Sequence, residues 1–174
     1  MRLFSLLLLL TFGATAQNLG YGIKLGVPFT DVFENGGIDE NSRFVIGPMV
    51  EFRLPIIGFE ADALYRYVSL RQNPTNVGSG STWQFPIVAK LRLPTTPILK
   101  PYGEAGVSFR TFTSSGSDLS AQSKKGFVLG AGLDIHAIVI HITPELRFTR
   151  WGSGHPVFLQ ANESQFEFLV GFSR

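Results

Sequence analysis

Gln165-Phe166-Glu167-Phe168-Leu169-Val170-Gly171-Phe172 is the stretch of this sequence that decides its fold. Large apolar residues stand at every second position, and a charged residue or a glycine stands at most of the positions between them. Alternation with a period of two places one set of side chains on each face of a β-strand. The stretch is therefore predicted to be a strand with one apolar face and one polar face.

The same pattern recurs eight times between Asn18 and Arg174. Each run is long enough to cross a bilayer at a tilt, which takes about 9–11 residues. Eight such runs in succession predict an all-β fold, an eight-stranded antiparallel transmembrane up-and-down β-barrel. The predicted strands cover residues 18–30, 43–54, 59–71, 82–93, 98–112, 126–136, 139–151 and 164–173.

The connections between the runs alternate in length. Those near residues 55–58, 94–97 and 137–138 are tight, whereas the intervening ones are long and rich in Gly, Ser and Asn. The long connections are predicted at residues 34–42, 72–81, 113–125 and 152–163. Short periplasmic turns and longer extracellular loops are typical of outer-membrane barrels, so both chain termini are expected in the periplasm.

The first sixteen residues have the composition of a secretory signal peptide. Arg2 gives a positive start, residues 3–12 are mainly apolar, and Ala14-Thr15-Ala16 is a small-residue cleavage site before Gln17. The apolar part is too short for a membrane-spanning helix, although an uncleaved anchor is the alternative. We therefore expect a cleaved signal peptide at 1–16 and one barrel domain at 17–174, in the outer membrane of a bacterium.

Composition excludes several other classes of protein. The chain has 15 basic and 13 acidic residues, and removal of Arg2 with the signal leaves 14 and 13. This near-balance gives no basic field of the kind that binds nucleic acid. The chain has no cysteine, which excludes disulfides and thiolate metal sites and argues against a lipid-anchored lipoprotein.

Charged residues concentrate on one face of the predicted strands, with seven of each sign. We predict that they form a charged network inside the barrel. The set comprises Lys24, Glu51, Arg53, Glu60, Asp62, Arg66, Lys90, Arg92, Glu104, Arg110, Asp134, Glu145, Arg147 and Glu167.

Alternation alone does not tell which face is inside, because a soluble barrel such as a lipocalin also alternates. Three features favour a polar interior. The polar face is rich in glycine, which leaves room for long charged side chains in a narrow lumen. Aromatic residues cluster near the strand ends, as in the two interfacial girdles of a membrane barrel. Opposite charges are matched, which an enclosed lumen requires because an unpaired buried ion is costly.

Three prolines conflict with this prediction. Pro48, Pro86 and Pro144 fall inside predicted strands, where each one removes a ladder hydrogen bond. We expect them at bulges or at positions where the ladder is already broken.

Several segments resemble the bacterial outer-membrane protein beta-barrel domain family, which includes small eight-stranded barrels similar to outer membrane protein X. They are the Ala-Thr-Ala signal end, the closing alternation up to Phe172, and the segments Pro101-Tyr102-Gly103-Glu104-Ala105-Gly106, Gly130-Ala131-Gly132-Leu133-Asp134 and Pro144-Glu145-Leu146-Arg147-Phe148. The resemblance implies a fold more than an activity. It also implies insertion by the barrel-assembly machinery, which usually reads a terminal aromatic residue. Here Ser173 and Arg174 follow Phe172, which weakens that signal.

Eight strands enclose a lumen just wide enough for side chains to fill it, so the charged interior is interpreted as a salt-bridged plug. A narrow porin-like ion path through the lumen is the alternative, and its lining would be Arg53, Glu60, Arg66, Lys90, Glu104 and Glu145. A more distant alternative is a lipopolysaccharide-modifying enzyme. Such an enzyme needs a serine, a histidine and an acidic residue close together at the outer rim. His136 and His141 are expected at the periplasmic side, and His155 near Ser153 has no acidic partner at a suitable spacing.

We therefore predict no catalytic residues, no cofactor and no metal site, the histidines being interpreted as scattered. Arg71 and Arg150 continue the lipid-facing register at the loop ends, where they can pair with lipopolysaccharide phosphates or simply snorkel. The long loops can contact an extracellular partner that the sequence does not name. The expected role is envelope integrity or surface interaction.

Overall fold

The computed structural model describes residues 18–30, 38–40, 44–72, 75–114, 124–137, 139–152 and 163–174. They form ten β-strands: β1 (Leu19–Pro28), β2 (Ile38–Glu40), β3 (Val45–Arg53), β4 (Ile57–Asp62), β5 (Leu64–Gln72), β6 (Thr75–Arg92), β7 (Leu99–Ser114), β8 (Lys124–Ala137), β9 (Ile140–Trp151) and β10 (Ser164–Ser173). Among these residues, no helix is long and apolar enough to cross a membrane.

The strands close into an antiparallel barrel. Each strand from β6 to β10 pairs with the next one, and β1 pairs with both β10 and β3, so the sheet returns on itself. Strands β4 and β5 are successive halves of one wall strand between β3 and β6. The wall therefore has eight strands, and the predicted fold class is confirmed.

The strand boundaries differ from the prediction mainly at the end that carries the long connections. Strand β5 runs to Gln72 and β6 begins at Thr75, so the predicted loop at 72–81 is wrong: most of it extends a hairpin. The short β2 lies within the predicted loop at 34–42 and pairs with the extension of β5. Strands β7 and β8 likewise extend slightly into the predicted loop at 113–125.

Two prolines explain why one wall strand is divided into β4 and β5. The interruption is Ala63, which lies opposite Pro48 of β3 in the register that pairs Met49 with Asp62. The Ala63 N–H donates to the Pro48 carbonyl at 3.0 Å, but Pro48 has no N–H to return the bond. On the other side, the ladder to β6 stops at Ile87 and resumes at Gln84, which leaves Pro86 in the gap. Pro48 and Pro86 thus share one ladder break.

Pro144 lies at a second interruption, in the ladder between β8 and β9. Residue pairs are formed up to Gly132–Glu145 and again from Ile135–Ile142, so the two intervening positions are unpaired on that side. The expectation that the prolines lie where the ladder is broken is confirmed for all three.

The two faces of the wall have the polarity predicted from the alternation. Charged and polar side chains are buried in the lumen, whereas large apolar side chains are exposed on the outside. Outward residues include Tyr21, Ile23, Phe59, Trp83, Phe85, Ile87, Leu91, Val107, Phe127, Leu129, Leu146 and Phe168. Such an apolar outer belt around a polar interior is the arrangement that suits a lipid bilayer.

Glycines make room for the charged side chains inside. A Cβ atom at Gly20 would lie 2.4 Å from the Arg53 guanidinium, and one at Gly130 would lie 2.5 Å from a Glu104 carboxylate oxygen. A larger residue at either position would displace the ion that occupies the space.

Candidate functional site

The middle of the lumen holds a cluster of seven charged side chains and one tyrosine. We call it the central cluster: Lys24, Glu60, Asp62, Lys90, Tyr102, Glu104, Glu145 and Arg147. Its members come from β1, β4, β6, β7 and β9, five of the eight wall strands. Because these strands surround the lumen, their side chains meet across it.

Glu145 is bound from four strands at once. Its Oε1 accepts from Lys24 Nζ at 2.9 Å and lies 2.8 Å from Arg147 Nη2. Its Oε2 accepts from the Tyr102 hydroxyl at 2.6 Å and lies 3.5 Å from Lys90 Nζ. Charge-assisted bonds to both oxygens hold this carboxylate in one position.

Glu60 is the second carboxylate that links several cations. It accepts from Lys24 Nζ at 2.5 Å, from Lys90 Nζ at 2.6 Å and from Arg147 Nη2 at 3.2 Å. Arg147 extends the network further, donating to Asp62 at 2.9 Å and through Nε to Glu104 at 2.9 Å. All four acids of the central cluster are therefore in ion pairs.

The charged side chains of the central cluster are almost completely buried. The side chains of its ionised members are only 0–1% accessible, so water-sized particles do not reach them. Glu60, Glu104 and Glu145 bring carboxylate oxygens within 4.8 Å of one another, a spacing that a metal ion could bridge. Ammonium and guanidinium groups already neutralise these acids, which disfavours a metal there.

A second group of charges lies at the end of the lumen that carries the short turns. We call it the mouth chain: Arg53, Glu51, Arg92, Asp134, His141 and His136. Arg53 Nε donates to Glu51 at 2.9 Å, and Arg92 joins Glu51 to Asp134, donating to the latter at 3.0 Å. His141 Nδ1 lies 2.8 Å from Asp134 and His136 Nδ1 lies 2.9 Å from His141 Nε2.

The end that carries the long connections is lined by arginines, amides and an indole. Gln165 donates to Glu167 at 2.5 Å and to Gln84 at 3.3 Å, and it accepts from Trp151 Nε1 at 3.0 Å. The Arg110 guanidinium lies over the Trp151 ring, 4.3 Å from its centroid. Arg66 belongs to the same level and donates to the Thr30 carbonyl at 3.2 Å.

The fourteen charged residues chosen from the sequence all lie on the lumen-facing register, thirteen of them buried and Arg53 half-buried. The sequence did not predict that Tyr102 and Gln165 lie in the interior or that the two histidines meet at its mouth. Tyr102 could have been found, because it alternates in phase with Glu104. The structure also brings together His136 and His141, which the sequence analysis interpreted as scattered. Ser153 and His155 lie outside the described residues.

A groove lies on the outer surface at the end with the long connections. It has a volume of about 570 Å³ and is lined by Val107, Phe109, Lys125, Gly126, Phe127, Arg150, Trp151, Gly152 and Glu163. Arg150 is directly opposite Phe127 across the β8–β9 pair, and Lys125 is opposite Phe109 across β7–β8. Two cations therefore stand beside two outward aromatic rings. The side chain of Arg71 lies outside the described part of the structure.

A closed eight-stranded barrel with an apolar outer belt and an ionised lumen is the class of integral outer-membrane barrels. The outer membrane protein beta-barrel domain model matches residues 3–137, and the chain belongs to that family. The protein is accordingly located in the bacterial outer membrane, where lipid and lipopolysaccharide surround it. In this class the short turns face the periplasm and the long connections face outward.

Solved barrels of the same fold are similar along nearly the whole chain. Neisserial surface protein A has a TM-score of 0.61 at 12% identity, covering 89% of this chain and 94% of that one. OprG from Pseudomonas aeruginosa has a TM-score of 0.58 at 14% identity, and the match covers 89% of this chain and 92% of that one. A third similar structure is that of Ail, the attachment invasion locus protein of Yersinia pestis, in complex with the heparin analogue sucrose octasulfate. It has a TM-score of 0.53 at 14% identity, and the match covers 89% of this chain and 94% of that one. No curated protein sequence matches the chain.

Proposed function

We propose that this protein is a non-enzymatic, non-conducting barrel that acts in envelope integrity or surface interaction. The observation that carries the proposal is the central cluster, whose ion pairs cross the lumen and whose side chains water does not reach. A rigid, plugged barrel is a scaffold that presents its outer surface and its loops.

The energetics of the central cluster support a closed state. A permeating ion would have to separate Glu60 or Glu145 from several cations at once. Leaving a buried charge without its partner costs several kcal/mol, because the interior has a low dielectric and no water replaces the lost partner. Glu60, Glu104 and Glu145, which would line a pore, are instead each paired with Lys90.

Single-channel recording in a planar bilayer tests this proposal. The barrel is first shown to be folded by the change in its gel mobility on heating, and a general porin in the same bilayer serves as the positive control. We expect no steady conductance from folded protein. Discrete, reproducible conductance steps that are lost after heat denaturation would contradict the plug and favour a narrow pore.

We also propose that the outer groove binds the phosphates of lipopolysaccharide. Arg150 and Lys125 are outward cations beside aromatic rings at the outer end of the wall, where the lipid headgroups lie. Arg150 Nη2 donates to Glu163 at 3.2 Å and Nη1 to Ser164 at 3.0 Å, which orients the guanidinium. Phe109 and Phe127 supply apolar surface for the acyl chains. The contact of Arg71 with lipopolysaccharide phosphates is likewise proposed, on the basis of the sequence alone.

Binding of labelled lipopolysaccharide to folded protein tests the groove. The double variant Lys125→Ala with Arg150→Ala is expected to bind about tenfold more weakly, because both cationic donors are removed. Arg174→Ala, an exposed arginine at the opposite end, is the matched control and should bind normally. Equal affinity of the double variant and the wild type would discard the specific site and leave only snorkelling.

For biogenesis, we propose that residues 1–16 are a signal peptide removed before Gln17 and that the barrel-assembly machinery inserts the barrel. The composition of the segment supports the first point, and family membership supports the second. An extracellular partner of the long loops stays a proposal of the same kind.

A further inference from the structure

We propose that His136 and His141 form a binding site for a divalent transition-metal ion at the periplasmic mouth of the barrel, with Asp134 as the residue that orients His141. The ion is of the class that imidazole nitrogen prefers, namely Zn²⁺, Cu²⁺ or Ni²⁺. This site is separate from the central cluster, the outer groove and the function proposed above.

The hairpin between β8 and β9 brings the two rings together. Ala137 pairs with Ile140 beside the turn, so His136 and His141 are directly opposite each other, and both lie on the lumen-facing register. His136 Nδ1 and His141 Nε2 are 2.9 Å apart, and the rings are nearly perpendicular with centroids 4.4 Å apart. Two ring nitrogens thus point at the same small volume.

Asp134 fixes which nitrogen of His141 carries the proton. A carboxylate can only accept, so His141 Nδ1 donates to Asp134 Oδ1, 2.8 Å away. In the neutral ring Nε2 then carries a lone pair, and it accepts the hydrogen bond from His136 Nδ1, 2.9 Å away. Metal-binding histidines usually donate their other nitrogen to a carboxylate in this way, which orients the ring and raises its basicity. Asp134 is itself held by Arg92 Nε at 3.0 Å.

The pair needs little movement to hold an ion. With zinc–nitrogen bonds of about 2.0–2.1 Å in tetrahedral geometry, two nitrogens stand about 3.3 Å apart. The two nitrogens would therefore separate by about 0.4 Å, the rings would turn until both lone pairs point at the ion, and His136 would move its proton from Nδ1 to Nε2. His136 is exposed at the open mouth, so water can complete the coordination.

The charged groups around the pair leave one positive charge in excess. Arg92 and Arg53 are each paired with an acid, Glu51 or Asp134. Lys100 lies opposite Asp134 across the β7–β8 pair and adds a third cation at this mouth. An ion that binds here is therefore held by the two imidazole lone pairs against a single excess positive charge.

Isothermal titration of the folded, untagged protein with Zn²⁺ tests the site, with Mg²⁺ as the negative control ion. We expect one Zn²⁺ per barrel, loss of that binding in His136→Ala and in His141→Ala, and affinity about 10- to 100-fold weaker in Asp134→Asn. His155→Ala removes the remaining histidine and is the matched control that should bind normally. Gel mobility on heating shows that each variant is folded.

A spectroscopic readout separates this site from other metal-binding groups. Cu²⁺ bound to the wild type should show coupling to imidazole nitrogen in its electron paramagnetic resonance spectrum, and His141→Ala should lose it. Absence of Zn²⁺ binding to wild type would overturn the proposal. So would unchanged binding in both histidine variants, which would place the ion on other groups of the protein.

Discussion

At the scale of single residues, Glu145 is the group on which the central cluster depends most. It contacts Lys24, Lys90, Tyr102 and Arg147, which come from four different strands. Glu145→Gln keeps the shape but removes the charge, so the three cations lose a shared counter-ion in a place that water does not reach. We expect the free energy of unfolding to fall by about 3 kcal/mol, measured by urea titration of the refolded barrel.

An exposed ion pair provides the matched control for that substitution. Glu163 pairs with Arg150 at 3.2 Å, and their side chains are 45% and 60% accessible. Because solvent screens such a pair, Glu163→Gln should change stability by less than about 1 kcal/mol. Similar losses for Glu145→Gln and Glu163→Gln would show that the interior pairs contribute no more than surface ones.

The sequence predicts which residues enter the lumen but not which of them meet. Alternation assigns a face to every position, and that assignment places all fourteen charged residues inside. Partners such as Lys24 and Glu145 lie 121 positions apart in the chain, and their contact depends on barrel closure and strand stagger. The stagger of the strands cannot be read from a single sequence. Only the structure therefore shows that the charges divide into a central cluster and a mouth chain.

At the scale of strands, the three prolines indicate that the hydrogen-bond ladder is interrupted, but the sequence does not predict where the interruptions lie. Each proline in a closed wall removes one ladder hydrogen bond and is therefore expected at a bulge or a ladder break. The structure gives two prolines to one break, at Ala63, and a third to the ladder between β8 and β9. Pro48 lies opposite Ala63 and Pro86 lies opposite Asp62, so the donors that both prolines lack fall at one interruption of the wall.

Strand ends outside the bilayer were the least predictable feature. Residues 75–81, Thr-Asn-Val-Gly-Ser-Gly-Ser, have the composition of a loop, yet they continue β6 in register with β5 through one irregularity near Leu70. Beyond the lipid both faces of a hairpin meet water, so polar and small residues are tolerated on both sides. Apolar alternation therefore ends before the strand does.

At the scale of the whole molecule, the interior charges are balanced overall but unevenly layered. The central cluster has three cations and four acids, whereas Arg66, Arg110 and Glu167 above it leave one positive charge in excess. With Arg53, Arg92, Glu51 and Asp134 in the mouth chain, the total is seven of each sign. These fourteen residues therefore sum to zero, which favours burying so many ions in a bilayer. Lys100 and Lys124 lie opposite Asp134 and Arg110 on the same register and add positive charge at the two ends of the lumen.

The proposed metal site and the outer groove both depend on the orientation of the barrel. The chain has no cysteine, so single cysteines can report it without interference. Ser117→Cys lies in the long connection between β7 and β8, and Ile56→Cys lies in the short turn between β3 and β4. A polymer-linked maleimide too large for porins should label Ser117→Cys on intact cells and Ile56→Cys only after the outer membrane is permeabilised. The reverse pattern would place the histidine pair at the cell surface and the Arg150 groove at the periplasmic leaflet, where lipopolysaccharide is absent.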